Sequence, residues 1–267
     1  MMNDRALKEQ YDEMWRTKWT DMQTHGPVHR HQRRIYRALL NSVRHVRIDS
    51  VLDVGAGAGE NLLFIRSLFP SIRVCGMDIS DVPLQAARWA IPDGCFWTGD
   101  IQSPQDAVGR CDLVTLFEVI EHLEQDRKAL KNIHAITNKY LLLSTVCGAM
   151  RPVECDIGHL RNYHPAQLTN LLDDVGFRVL RIVQWGFPFY SPLFRTLSMN
   201  PTITKFSYGR YGLRQRLACH VLYGLYFMNS WNRGDKLIVL AEKTAPPHPD
   251  SDTIPSSHDI SVKAHPL

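Results

Sequence analysis

The chain has 267 residues, a mass of 30.6 kDa, 44% hydrophobic residues and a formal net charge of +4. That much apolar material supplies a core and excludes a disordered or fibrous polymer, and no run approaches the roughly 18 uninterrupted apolar residues of a membrane-spanning helix. The start, MMNDRALKEQ, lacks the apolar segment of a secretory leader, and the six cysteines show no C-x-x-C spacing, so they read as reduced, buried small side chains of a cytoplasmic protein.

No internal repeat is present, which sets solenoids and propellers aside. Residues 1–48 read as an N-terminal helical segment. Within it, 29–47 (HRHQRRIYRALLNSVRHVR) carries six arginines and three histidines. Such a run suits a solvated helix face better than a nucleic-acid contact, because charge alone does not build a binding site. From residue 50 apolar runs alternate with amphipathic stretches. Strands are expected at 50–56, 73–79, 95–101, 112–118, 140–146, 177–185 and 236–243, with helices at 59–69, 81–90, 122–137 and 165–175. This alternation predicts an α/β fold with a doubly wound, mostly parallel sheet spanning 49–243. Ligands are then expected at the carboxyl ends of the strands, beside the first one. Residues 187–232 form an insertion before the last strand that the sheet itself does not need. The tail 244–267, rich in proline and serine, is expected to be disordered.

The loop after the first strand, VLDVGAGAGE, holds Gly55, Gly57 and Gly59, followed at once by Glu60. In a dinucleotide site the glycines admit a pyrophosphate to the positive end of the next helix. A carboxylate opening that helix repels such a ligand and discourages a nicotinamide dehydrogenase. S-adenosylmethionine carries a sulfonium and an ammonium and no phosphate, so it suits glycines that admit it to the backbone and acids near its cationic end.

With LDVGAGAG, Asp78 in VCGMDIS and Asp100 in WTGDI in this order at strand ends, the sequence resembles the class I S-adenosylmethionine-dependent methyltransferases over roughly 30–186 and 236–243. The resemblance implies a Rossmann-like sheet of seven strands with the last one antiparallel. It also implies a cofactor site of Asp53, Gly55, Ala56, Gly57, Gly59, Asp78, Ile79, Asp100, Ile101 and Phe117. In it Asp78 takes the ribose hydroxyls, Asp100 lies near the adenine amine and Ile101 beside the ring. Asp53 either orients the loop or touches the ligand, since a buried acid must find donors.

After the fourth strand, EVIEHLEQD sets Glu118, Glu121 and His122 where the donated methyl would lie, and ECDIGHLRNYHP adds His159 and His164 at the same end. EVIEHL is similar to the corresponding motif of quinone-biosynthesis O-methyltransferases and of small-RNA 2'-O-methyltransferases, and in the latter the matching acids and histidines ligate a metal. Three outcomes stay open, the plainest being that Glu121 or His122 only caps the helix that follows and the cluster is structural. Otherwise Glu118, Glu121, His122, His159 and His164 bind a divalent ion such as Mg²⁺, or His122, with Glu118, acts without metal as a catalytic base. A base helps an alcohol or phenol more than a neutral amine, which points to O-methylation.

The insertion offers Phe187, Phe189, Tyr190, Phe194, Tyr208 and Tyr211 as walls for an aromatic or lipid-like acceptor, with Arg195, Arg210, Arg214 and Arg216 for an anionic group. Alternatively, the aromatics form the insertion's own core. Residues 217–228 are too short to span a membrane yet suit peripheral contact with one. The leading reading is methylation of a small-molecule acceptor. An RNA 2'-O-methyltransferase is the alternative, disfavoured because no RNA-binding module accompanies the catalytic residues. A non-catalytic scaffold retaining the fold is the third reading.

Overall fold

The computed structural model describes residues 4–19, 21–105 and 109–244. Seven strands form one sheet: β1 (Ser50–Val54), β2 (Arg73–Asp78), β3 (Cys95–Thr98), β4 (Cys111–Phe117), β5 (Thr137–Val146), β6 (Phe177–Trp185) and β7 (Lys236–Lys243). The helices are α1 (Asp4–Thr17), α2 (Met22–His25), α3 (Pro27–Ser42), α4 (Glu60–Leu68), α5 (Asp81–Ala90), α6 (Asp126–Ile136), α7 (Pro152–Asp156), α8 (Pro165–Asp174), α9 (Arg195–Leu197), α10 (Pro201–Phe206) and α11 (Leu213–Leu225).

The strand order is β3-β2-β1-β4-β5-β7-β6. All neighbours run parallel except β7, which is antiparallel to both β5 and β6. Every residue of β1 and of β4 is buried, as expected of central parallel strands covered by helices on both faces. One core lies on the α6 and α8 side, with Leu130, Ile133, Leu168 and Leu172 against Leu116 and Leu143. The other lies under α3 and α4, where Ile35, Leu39, Leu62 and Ile65 meet Val51 and Leu142.

Several boundaries differ from the sequence expectation for local reasons. β3 stops at Thr98 because Asp100 turns the chain, its Oδ1 accepting from the Gln102 amide at 2.9 Å. α6 begins at Asp126 because Ile120–His122 forms a separate 3₁₀ turn. The basic run is only partly a solvated face. α3 buries His31, Gln32, Ile35 and Tyr36, and Arg30 and Arg34 lie over the Tyr223 and Phe227 rings at 3.7 and 4.3 Å. These arginines therefore fasten α3 to the insertion, a use that composition does not reveal.

The insertion is part of the core and more than an overhang. Trp185 at the end of β6 is fully buried between His31 and Tyr190, with ring centroids at 5.3 Å on each side, and Tyr226 closes the cluster. Of the cysteines, Cys75, Cys111, Cys147 and Cys219 are buried, whereas Cys95 and Cys155 are exposed, contrary to expectation; all six are free. Among the described residues no helix is long and apolar enough to cross a membrane. Apart from Thr244, the tail expected to be disordered lies outside the described residues.

Candidate functional site

A cavity of about 550 Å³ opens at the carboxyl ends of β1, β2 and β4. Its rim at one end is the glycine loop. Gly55 and Ala56 donate their amides to the Met77 carbonyl at 2.8 and 2.9 Å, and Gly57 donates to Asp78 Oδ2 at 2.9 Å. The loop is therefore held by β2 and not by Asp53. Gly55 and Gly57 have φ of +78° and +54°, and a Cβ would lie 2.2 Å from Val119 Cγ2 at the first and 2.6 Å from the Trp15 ring at the second. Only glycine fits either place.

Ala56, Asp78, Ile79, Asp100, Ile101 and Phe117 line the cavity together with Gly55 and Gly57, so eight of the expected cofactor residues converge. Asp53 and Gly59 are not among the lining residues. Asp53 is buried beneath the loop, where Oδ1 accepts from Thr115 Oγ1 at 2.6 Å and Oδ2 has no partner. Burial raises its pKa to about 8, which leaves the carboxyl protonated at neutral pH. Gly59 instead faces Ala87 of α5.

The fit to S-adenosylmethionine rests on these observations. The wall next to the loop carries the carboxylates of Glu60, Asp78 and Asp100. The lining cations, Lys236, Arg151 and Arg195, come from other segments. Lys236 is bonded to Glu118, and Arg195 to Glu154 and Asp235. Arg33 stands beside Glu60, its Nη1 donating to Asn61 Oδ1 at 3.5 Å, so the loop end is not purely acidic, yet the three acids along its wall suit a sulfonium and an ammonium better than a pyrophosphate.

Glu118, directly after β4, has φ of +57°, an uncommon conformation for a non-glycine residue. Oε1 accepts from Gln32 Nε2 at 2.8 Å and Ser144 Oγ at 2.9 Å, and Oε2 accepts from Lys236 Nζ. Burial alone would raise the Glu118 pKa, but the Lys236 charge overcomes it and holds the carboxyl well below the usual range. Glu121 is fully buried, with Oε2 accepting from Thr145 Oγ1 at 2.9 Å and Oε1 unpartnered. Burial, and then the Glu118 charge, push its pKa to about 8.

His122 Nδ1 lies 2.7 Å from the Tyr11 hydroxyl and 3.1 Å from the Gly158 carbonyl. That carbonyl can only accept, so the tautomer that satisfies it carries the proton on Nδ1 and the lone pair on Nε2, whereas the Tyr11 hydroxyl can pair with either tautomer. Burial, followed by the neighbouring His159, lowers the ring's pKa to about 4, so it is neutral at physiological pH. Glu121, His122 and His159 each offer a ligand atom within 4.8 Å of the others. Glu118 is outside this group, claimed by Lys236, and His164 is exposed at the start of α8, so the structure does not bring these two expected ligands to the others.

Several lining residues escaped the sequence reading. Tyr11, Trp15 and Trp19 come from α1 and its end, His29, Gln32 and Tyr36 from α3, and Lys236 from β7. The spacing of 29, 32 and 36 on one helix face was the available signal for the second group. His29 is neutral, burial and then Arg33 lowering its pKa to about 3. Of the insertion's aromatics, Tyr190, Phe194 and Tyr211 line the cavity, while Phe187, Phe189 and Tyr208 are not among the lining residues. Arg195 lines it but is ion-paired, and Arg210, Arg214 and Arg216 are on the surface.

Comparison with known proteins agrees with this geometry. The trans-aconitate 2-methyltransferase of Klebsiella pneumoniae (strain 342) is 33% identical over 63 residues, 24% of this chain. The match spans only about a quarter, 25%, of that relative's length. The crystal structure of the [4+2]-cyclase SpnF superposes with a TM-score of 0.60 at 17% identity, covering 91% of this chain and 97% of the cyclase. The magnesium protoporphyrin IX methyltransferase ChlM from Synechocystis PCC 6803 with bound SAH gives 0.57 at 15% identity, covering 91% of this chain and all, 100%, of that one. Both likenesses show a shared fold. The sequence pattern of the methyltransferase domain matches residues 28–182, more than half of the chain. With that match over the glycine loop, Asp78, Asp100 and the fourth strand, the chain belongs to the class I S-adenosylmethionine-dependent methyltransferases.

Proposed function

We propose that this protein methylates an oxygen of a small, largely apolar acceptor, with S-adenosylmethionine as donor and His122 as proton acceptor. The observation that carries the reading is one cavity lined by both the glycine loop and a neutral, oriented imidazole. Gly55, Ala56, Gly57, Asp78, Asp100 and Ile101 would hold the cofactor, which supplies an electrophilic methyl group on a sulfonium. Glu60 gives its cationic end a counter-charge.

The protein's own part is alignment and proton management. Tyr36 stacks on Phe117 at 4.2 Å, and with Tyr190, Phe194 and Leu222 these rings offer an apolar bed for the acceptor. His122 Nε2 takes the hydroxyl proton as the oxygen becomes nucleophilic, and the Gly158 carbonyl stabilises the imidazolium through Nδ1–H. An amine, neutral already, would gain less from this arrangement. A cavity of about 550 Å³ supports a small acceptor over a polynucleotide, and the partial match to an enzyme named for a small acceptor supports the same class.

A second reading has its own observation. Glu121 Oε1 and His159 Nδ1 are buried without partners next to His122, which suits a divalent cation held by these three. Two imidazoles and one carboxylate favour a transition-metal ion over Mg²⁺.

The test is incubation with methyl-labelled S-adenosylmethionine and fractionated small-molecule and RNA extracts, with and without chelator. Label in a base-stable small-molecule ether, retained under chelation and lowered roughly 10²- to 10⁴-fold by His122→Ala, is the expected result. Loss on chelation with recovery on adding Mn²⁺ or Zn²⁺ would transfer the role to the metal. Label in RNA alone would falsify the proposal.

A further inference from the structure

Helix α11 has two faces with different surroundings. Ala218, Cys219 and Leu222 line the cavity. On the opposite side Leu213, Leu217 and Val221 are 85%, 65% and 65% exposed, and Met228, in the 3₁₀ turn that continues the helix, is 63% exposed. Positions four apart share a helix face, so these side chains form one continuous apolar stripe in water. Exposed Arg214 lies along one edge of the stripe, and exposed Arg216 and His220 along the other. The insertion 187–232 contains five basic residues and no Asp or Glu. Arg195 is ion-paired in the interior; Lys205, Arg210, Arg214 and Arg216 are at the surface, and of these Arg216 is engaged within the protein, 3.7 Å from Asp21 Oδ2 and donating to the Tyr211 carbonyl at 3.0 Å.

An apolar stripe rimmed by polar residues marks a contact surface. Its charge selects the partner. Two copies meeting through the same patch would set arginine against arginine, since a two-fold interface pairs a surface with itself. An anionic lipid surface satisfies both features: acyl chains receive the stripe, and phosphate-bearing headgroups receive the guanidinium groups on long, flexible stems. At 13 residues α11 is too short to span a bilayer, so it lies in the plane of the interface.

We propose that α11 docks the protein on an anionic bilayer through Leu213, Leu217, Val221 and Met228, with Arg210 and Arg214 at headgroup level. Docking so oriented places the cavity wall formed by Ala218, Cys219 and Leu222 one helix diameter above the lipid. The inference stands on the surface of α11 and does not depend on the acceptor or on the chemistry of His122.

The full chain is floated with vesicles of phosphatidylcholine alone and of phosphatidylcholine mixed with phosphatidylserine. Binding to the mixed vesicles is expected to exceed binding to the neutral ones at least roughly tenfold and to weaken as salt is raised. Leu217→Asp combined with Val221→Asp is expected to reduce that binding at least about tenfold with an unchanged melting temperature, because both side chains point outward. Arg210→Glu combined with Arg214→Glu is expected to abolish the preference for phosphatidylserine. Failure of the wild type to bind either vesicle overturns the proposal, as does undiminished binding by the Leu217→Asp, Val221→Asp protein. A self-association lost in that variant, without vesicle binding, also overturns it and makes the stripe an interface between copies.

Discussion

Replacing Lys236 by methionine removes the cation that faces Glu118 while keeping most of the side chain's volume. Lys236 is 6% exposed, and the Glu118 side chain is 24% exposed, toward the cavity. Breaking a buried pair from one side leaves an uncompensated charge and costs about 3 to 5 kcal/mol. Gln32 and Ser144 go on donating to Oε1, so the lower end, about 3 kcal/mol, is the expected loss. At roughly 2 to 4 °C per kcal/mol for a chain of this size, the melting temperature should fall by about 6 to 12 °C. Adding Glu118→Gln removes the orphaned charge and should restore all but about 1 kcal/mol, giving a large coupling energy in the double-mutant cycle. The pH dependence has a definite sign. The Glu118 pKa is held below its ordinary 4.5, so the pair's contribution is present above that value and fades as pH falls below it. The Lys236 pKa is raised above its ordinary 10.5, burial opposing and Glu118 prevailing, so its contribution persists through neutral pH and is lost only as pH rises past the raised value. Reversible denaturant unfolding of the four proteins, at neutral and at acid pH, measures this. A single-variant loss below about 1 kcal/mol with no rescue in the double variant would show that no buried charge pair exists.

Other residues give equally direct expectations. Asp78→Ala should weaken S-adenosylmethionine binding at least tenfold by calorimetry, since charge-assisted bonds contribute roughly 1.5 to 3 kcal/mol. It should also lower the stability of the unliganded protein, because Asp78 accepts from the Gly57 and Ser80 amides; affinity unchanged would remove Asp78 from the cofactor site. Asp53, with its pKa raised from 3.8 to about 8, stabilises the fold most below 3.8 and loses that contribution as pH rises through about 8. Asp53→Asn should therefore flatten the decline in stability from mildly acid to mildly alkaline pH, and an unaltered slope would contradict the buried, protonated carboxyl. Gly57→Ala places a Cβ against the Trp15 ring at a positive φ that disfavours L-residues by roughly 1 to 2 kcal/mol. Protease cleavage within α1 should accelerate, and Trp15→Ala in the same chain should give back part of the lost stability.

How much of this was legible in the sequence depended on the range of the interactions. The alternating β and α elements show because Val, Leu and Ile runs and helical periodicity are local properties. The acids Asp78 and Asp100 show because they sit at strand ends in a fixed order. Glu121, His122 and His159 also came together as their common end of the sheet implied. Contacts made across the fold were not legible. Tyr11 bonds His122 over 111 positions of chain, and α1 is polar enough to read as a free surface helix. Lys236 opens a strand and reads as a solvent-facing edge, yet it is buried against Glu118 over 118 positions. Asp53 is buried, as its place in an apolar strand implies, but of the two roles the sequence leaves open the structure displays neither: the loop amides bond Met77 and Asp78, and Asp53 is not among the cavity's lining residues.

The way α1 lies across the glycine loop has a consequence for turnover. Trp15 rests on Gly57, Asp12 accepts from the Ser80 hydroxyl, and Tyr11 meets His122, so one helix touches the loop, the second strand's exit and the imidazole together. Under the proposed function, a cofactor seated at the glycine loop would lie beneath these contacts, and its release would require them to part. Parting them would also take the Tyr11 hydroxyl away from His122, so cofactor exchange and proton acceptance would exclude one another in time. A bulky group fused ahead of α1 is therefore expected to hasten cofactor release and to slow the chemical step, which stopped-flow binding and single-turnover transfer would measure.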